Sequence, residues 1–166
     1  MRPTITTITT EHVDLLSSKD FAETVKDLRA ELGNASTETL MGRLSASSHW
    51  SHYAAECAEF AGRSNLIEVG YLNWGKVLSL SGTPMKAGCF IVGNPVTAQK
   101  LLAAGGAQVG LYLPTKLTVF EDRDGAVHVS YDKFLPIMAP YGMATLDKIA
   151  GAIDVVLDKL AMAAVN

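Results

Sequence analysis

The segment from Leu111 to Asp132 constrains the fold more than any other. Two runs rich in strand-forming residues, Leu111–Asp122 and Ala126–Asp132, flank Arg123-Asp124-Gly125, and glycine in third place supplies the left-handed conformation that a three-residue hairpin loop needs. Folding the runs together puts Leu117, Val119, Val127, Val129 and Tyr131 on one face. Lys116, Thr118, Phe120, His128, Ser130 and Asp132 fall on the other, and a one-residue slip mixes the two sets. This register sets Lys116 opposite Asp132 as a cross-strand pair of opposite charge. Pro114 has no N–H to give to a ladder, which predicts an edge or a bulge at that end. A sheet with one apolar face needs cover, and the rest of the chain must supply it.

Ile5–Leu15 alternates loosely and is rich in threonine, as a strand with one exposed face is. Ser17 or Ser18 is placed to cap a helix in which Phe21, Val25, Leu28 and Leu32 form one stripe, with Gly33-Asn34 ending it. Residues 36–62 read as a helical insertion, broken near Ser45–Ser48 and closed by Gly62. Leu66–Tyr71 and Lys76–Leu80 around Asn73-Trp74-Gly75 read as a hairpin, followed by a strand at Gly88–Val92. Gly93-Asn94-Pro95 starts a helix, because asparagine accepts from a free amide and proline loses nothing at the first helical position. That helix runs to about Ala104, and Gly105-Gly106 stops it. Phe134–Leu146 reads as irregular. Thr145 then caps a last helix, whose broad apolar face opposes a stripe of Asp147, Gly151, Asp154 and Asp158. Hairpins dominate this order, so the class is α+β: a mainly antiparallel sheet with helices packed on one face, in a single domain spanning 1–166.

Composition narrows the function classes. Only 19% of residues are charged, against about 25% in ordinary domains. The net charge of −3, with no Lys/Arg cluster, offers nothing to a phosphate backbone or an anionic leaflet, so neither nucleic acid nor a membrane is an expected partner. Between Ala87 and Thr115 the sole charge is Lys100, yet Pro95, Pro114 and several glycines interrupt the run, and a spanning helix is not expected. The first ten residues lack the apolar core of a signal peptide, and Cys57 and Cys89 are too few for a disulfide scaffold. A cytoplasmic location with both thiols packed in the core is the expectation.

Gly93-Asn94-Pro95, then Leu111-Tyr112-Leu113-Pro114 leading into LTVFED, a glycine-containing turn and Ser130-Tyr131-Asp132, resembles the domain of unknown function 302 family. The resemblance covers about Leu66–Met138, extends to SSKDFAETVKDL near the start, and is least over 36–62. It implies a core of strand, helix, four strands and helix, and it implies homodimers; it implies no reaction. Many relatives carry arginine where Lys116 stands and proline where Phe134 stands, and lysine lacks the bidentate fork of an anion clamp.

Three groups of residues could carry chemistry. His49, His52 and Glu56, at i, i+3 and i+7 with Tyr53 beside them, share one side of a helix and could ligate a divalent metal or haem, which would make the protein an oxidoreductase. The helix start at Asn94-Pro95 offers the amides of Val96, Thr97 and Ala98 to an anion. Tyr112, Tyr131, Asp132, Lys116 and His128 could form an acid–base set, but the hairpin register turns Tyr131 away from the other three on that hairpin. The apolar excess with few polar candidates points instead to a binding module. In that reading a homodimer holds a small, mostly apolar ligand between sheet and helices, with Gly93, Asn94, Pro95, Tyr112, Pro114 and Tyr131 at the site. A non-catalytic structural or interaction protein is the third class.

Overall fold

In the computed structural model, which describes residues 5–166, the centre of the molecule is a six-stranded sheet of order β1-β6-β5-β4-β3-β2. Its strands are β1 (His12–Leu16), β2 (Gly33–Asn34), β3 (Ile67–Leu72), β4 (Ala87–Gly93), β5 (Thr115–Glu121) and β6 (Val127–Asp132). Every pairing is antiparallel except the short parallel contact of β2 with β3. The β5–β6 ladder pairs Thr118 with Ser130 and Val119 with Val129, which is the register read from the sequence. Gly125 closes the loop with φ +85°, and one Asp122 carboxylate oxygen accepts from the N–H groups of Asp124 and Ala126. Leu117, Val119, Val127, Val129 and Tyr131 are all buried on one face.

Helices α1 (Phe21–Glu31) and α7 (Ala144–Val165) cover that face. Leu28 from α1 and Leu157, Leu160, Ala161 and Ala164 from α7 interdigitate with Phe90, Val92, Val119 and Val129 of the sheet. Arg29 reaches from α1 to Glu68 with two hydrogen bonds of 3.0 and 3.1 Å, its guanidinium lying over the rings of Tyr71 and Phe90. Helices α2 (Thr37–Ala46) and α3 (Trp50–Phe60) pack Leu40, Tyr53 and Cys57 against Ile67 at the β2–β3 side. A third cluster joins α5 (Pro95–Gly105) to α7 and to α6 (Leu135–Met138) through Leu101, Phe134, Met138 and Leu146.

Several local readings need correction. The first strand begins at His12, not Ile5, and the cap of α1 is Asp20, whose carboxylate accepts from the Glu23 N–H. The Ser17 and Ser18 N–H groups instead bond to Val127 and Val165. Gly33-Asn34 does more than end a helix: Gly33 donates to the Leu66 carbonyl, and a Cβ there would overlap the Phe60 carbonyl oxygen at 1.7 Å. Lys76–Leu80 is no strand but belongs to helix α4 (Trp74–Leu80), because Asn73 accepts from the Lys76 N–H and starts a helix as readily as a turn. Leu111 and Tyr112 lie in a 3-10 turn, Ala107–Tyr112, and β5 starts only after Pro114, inside the sheet rather than at an edge.

Phe134–Leu146 holds α6, a short 3-10 turn and the first residues of α7, whose cap position is Met143 rather than Thr145. The aspartate stripe of α7 turns partly inward. Asp154 is buried, its two oxygens accepting from the N–H groups of Phe134 and Leu135, which are otherwise orphans at the start of α6. Asp158 receives the Tyr131 hydroxyl and the Lys133 ammonium on one oxygen. Lys116 and Asp132 form no ion pair; the Asp132 carboxylate is bound by His12 Nδ1 at 2.8 Å across the β1–β6 ladder. Cys57 and Cys89 are buried free thiols. Among the described residues no helix is long and apolar enough to cross a membrane.

Candidate functional site

Where α2, α3 and α5 meet the ends of β3, β4 and β5, the chain leaves a cleft of about 690 Å³. That volume lies within the range of small-molecule sites, about 300–1,000 Å³. Leu40, Met41 and Leu44 of α2 and Trp50 and Tyr53 of α3 form one wall. Leu101 and Leu102 of α5 form the facing wall. Val92, Gly93 and Pro114 lie at the strand ends, and Phe134 and Ile153 close the far side. Among the described residues no charged side chain lines it.

The sequence positions these walls for simple reasons. Asn94 anchors α5: its Oδ1 accepts from the Val96 N–H at 2.9 Å while its Nδ2 donates to the Asn65 carbonyl at 2.9 Å. Gly93 permits the strand end to pass Pro114, since a Cβ there would stand 3.1 Å from the proline Cβ. On α3, Trp50 and Tyr53 are i and i+3 and point the same way, their rings 5.9 Å apart. Met41, Leu44 and Trp50 are each nearly half exposed, at 46%, 45% and 46%, although they are large and apolar.

Of the six residues expected at a ligand, Gly93, Asn94, Pro95 and Pro114 line the cleft. Tyr112 does not; it borders a smaller hollow of about 230 Å³ shared with Pro114, Lys116 and Asp132. Tyr131 lies in the core, where burial, and after it the hydrogen bond to Asp158, push its hydroxyl pKa well up. The helix start at Asn94 is less open to an anion than the sequence suggests, because the Val96 and Ala98 N–H groups already bond to Asn94. His128 stacks on Phe120 and bridges Asp14 and Asp122 on the other face of the sheet from Tyr131, so no acid–base set assembles on the hairpin.

His49, His52 and Glu56 do not come together as ligands. Helix α3 begins at Trp50, which leaves His49 outside it, and the inward positions go to Trp50 and Tyr53. Both histidines are exposed, His52 approaches Ser47 at 3.4 Å, and Glu56 is held by Arg43 at 3.3 Å. Among the described residues no group of three or more His, Cys, Asp or Glu is arranged to hold a metal ion.

A family model for the domain of unknown function DUF302 matches residues 67–164, more than half of the chain. The chain belongs to this family. A solved DUF302 structure, an uncharacterised conserved protein from Bacillus stearothermophilus, superposes with a TM-score of 0.65 at 18% identity, covering 92% of this chain and 97% of that one. That likeness concerns the fold. No curated protein matches. In this DUF302 chain the matched region supplies α5 and the strand ends of the cleft, whereas Leu40, Met41, Leu44, Trp50 and Tyr53 come from the part before it.

Of those five wall residues the sequence reading singles out none as a cleft residue, and it names Tyr53 only as a neighbour of the histidines. The available signal was large apolar residues at helical spacing, Leu40, Met41 and Leu44 and then Trp50 and Tyr53, in a segment otherwise rich in Ser, Ala and Glu. Two titratable groups sit behind the wall. Burial raises the Tyr53 hydroxyl to about 12, with the Cys57 thiol and Glu56 adding to the effect. Burial likewise raises the Cys57 thiol. Both are protonated at neutral pH, and Cys57 is therefore not an activated nucleophile.

Proposed function

We propose that this DUF302 protein binds a small, mostly apolar molecule in the cleft between α2–α3 and α5. The observation that carries the reading is a cavity of ligand size, lined among the described residues without a single charge, beside a sheet–helix layer whose apolar residues are closely packed. Large apolar side chains left half exposed around the cleft, Met41, Leu44 and Trp50, gain from cover that the chain itself does not provide. Among the described residues no serine, cysteine, histidine or carboxylate lines the cleft and no metal-binding cluster is found, and binding rather than bond-making is the activity proposed.

The test uses the uncharged dye N-phenyl-1-naphthylamine, whose fluorescence rises in apolar surroundings. A saturable rise is expected for the native protein, and a loss of at least tenfold in affinity for Leu44→Glu, which sets a charge on the wall. An absent rise, or one unchanged in Leu44→Glu, contradicts the reading. Native mass spectrometry of freshly purified protein is expected to show an adduct of small-molecule mass.

The homodimer expected from the family resemblance is part of the same proposal. The sheet face opposite α1 and α7 carries Leu16 and Leu72, 64% and 41% exposed, beside half-buried Ile91 and Phe120. Association of two copies through this face removes that surface from water. A dimeric mass by light scattering at micromolar concentration, lost in Leu16→Lys, is expected; a monomer in the native protein contradicts it.

A further inference from the structure

Resting on the cleft being a binding site, we infer that helix α2 is its lid: loosely held while the cleft is empty, and fixed in place only when an apolar molecule lies beneath it. Of its ten residues only Leu40 is buried, and the other nine are exposed. Helix α3, on the same wall, buries both Tyr53 and Cys57. Leu40 and Leu44, at i and i+4, turn with Met41 toward the cleft. The apolar side that would hold α2 down is therefore the side that the empty cleft leaves uncovered, with Met41 and Leu44 nearly half exposed.

The polar ties from α2 to the rest of the fold are long. Thr37 Oγ1 donates to the Val69 carbonyl at 3.4 Å, and Arg43, its side chain 55% exposed, reaches Glu56 on α3 at 3.3 Å. An exposed pair of that kind adds little. The Ser45 and Ser47 hydroxyls donate to the carbonyls of Met41 and Arg43, and so serve the helix's own last turns. A helix this short is marginal without packing, and Gly42 in its middle lowers its helix propensity further. Ser36 and Ser47 border it in extended conformations, and these are the joints about which it turns.

Gly42 gives the sharpest test, because it lies on α2 without lining the cleft and a Cβ there meets nothing within 4 Å. Gly42→Ala makes α2 easier to order, so less of the binding free energy goes into ordering it. N-phenyl-1-naphthylamine is expected to bind Gly42→Ala about three- to fivefold more tightly than the native protein. Gly151→Ala is the control: Gly151 lies in α7, off the cleft, where a Cβ makes only ordinary contact with Leu135 at 3.8 Å. Its dye affinity is expected to equal the native one. Amide hydrogen exchange reads the lid directly. Helix α2 is expected to exchange faster than α3 and α5 in the empty protein, and to slow by about tenfold or more at dye saturation.

Dye binding of unchanged affinity in Gly42→Ala overturns the lid while leaving the cleft as a binding site. So does an equal tightening in Gly151→Ala, and so does exchange in α2 that is no faster than in α3 and α5 or is unchanged at saturation. An absence of saturable dye binding in the native protein overturns the cleft reading as well.

Discussion

The layer between the sheet and helices α1 and α7 and the junction of α2, α3 and α5 are made of the same kinds of side chain, but one is filled and the other is hollow. In the layer, the 22 residues of α7 deliver Leu157, Leu160, Ala161 and Ala164 at helical spacing onto a face of valines, and each of these α7 residues is at most 1% exposed. At the junction, α2 and α3 are 10 and 11 residues long and meet at a break rich in serine. Their few large residues reach the walls and leave the middle open. Apolar composition alone does not separate a core from a cavity; the length of the elements and the size of the residues between their apolar positions do.

This contrast can be broken most forcefully in the filled layer. Leu157→Ala is expected to lower unfolding free energy by about 2–5 kcal/mol in urea denaturation, since close-packed neighbours cannot collapse into the gap. Leu44→Ala, the same truncation at the rim of the cleft, is expected to stay within about 0.5 kcal/mol. Similar losses at both sites would mean that the two regions are not different in kind.

Asp154 sharpens the comparison where α7 meets α6. Removing its carboxylate in Asp154→Ala leaves the Phe134 and Leu135 N–H groups without partners, with an expected loss of roughly 2–4 kcal/mol. Asp154→Asn keeps one acceptor oxygen and should lose less. Equal losses in the two variants would put the effect on charge rather than on the capping bonds.

Much of the filled layer was legible in the sequence. The β5–β6 register followed from face consistency around Gly125, and the apolar stripes of α1 and α7 followed from helical spacing, because in these elements local pattern and burial agree. The hollow region was legible only at its sheet and α5 edge, through Gly93-Asn94-Pro95 and Pro114. His49, His52 and Glu56 are conspicuous by their chemistry, whereas the residues of that segment that line the cleft, Trp50 and Tyr53, look like ordinary core in the sequence. Helix α4 was hidden for another reason: Asn73 serves a helix cap and a hairpin turn equally well, and the five residues Lys76–Leu80 are too short a run for periodicity to decide.

The smallest expected effect is at the outer end of the filled layer. Burial pushes the Asp158 carboxyl up, but the hydrogen bonds from Lys133 and Tyr131 outweigh it and hold the group below its ordinary value. A carboxylate depressed on folding contributes stability above its unfolded value, about 3.9, and loses that contribution as pH falls through its folded value. Asp158→Asn should therefore be less stable than the native protein at pH 7 and converge with it in strong acid, the gap being modest because the side chain is 45% exposed. A gap that widens on acidification contradicts the assignment.

The most direct test of a filled layer beside a hollow one is a proton–nitrogen correlation spectrum of the labelled protein titrated with octan-2-one. Saturable shifts are expected at Leu40, Trp50, Tyr53, Thr97 and Leu102, with Val129 and Leu157 unmoved. Shifts centred on Val129 and Leu157, or none at all, would contradict it.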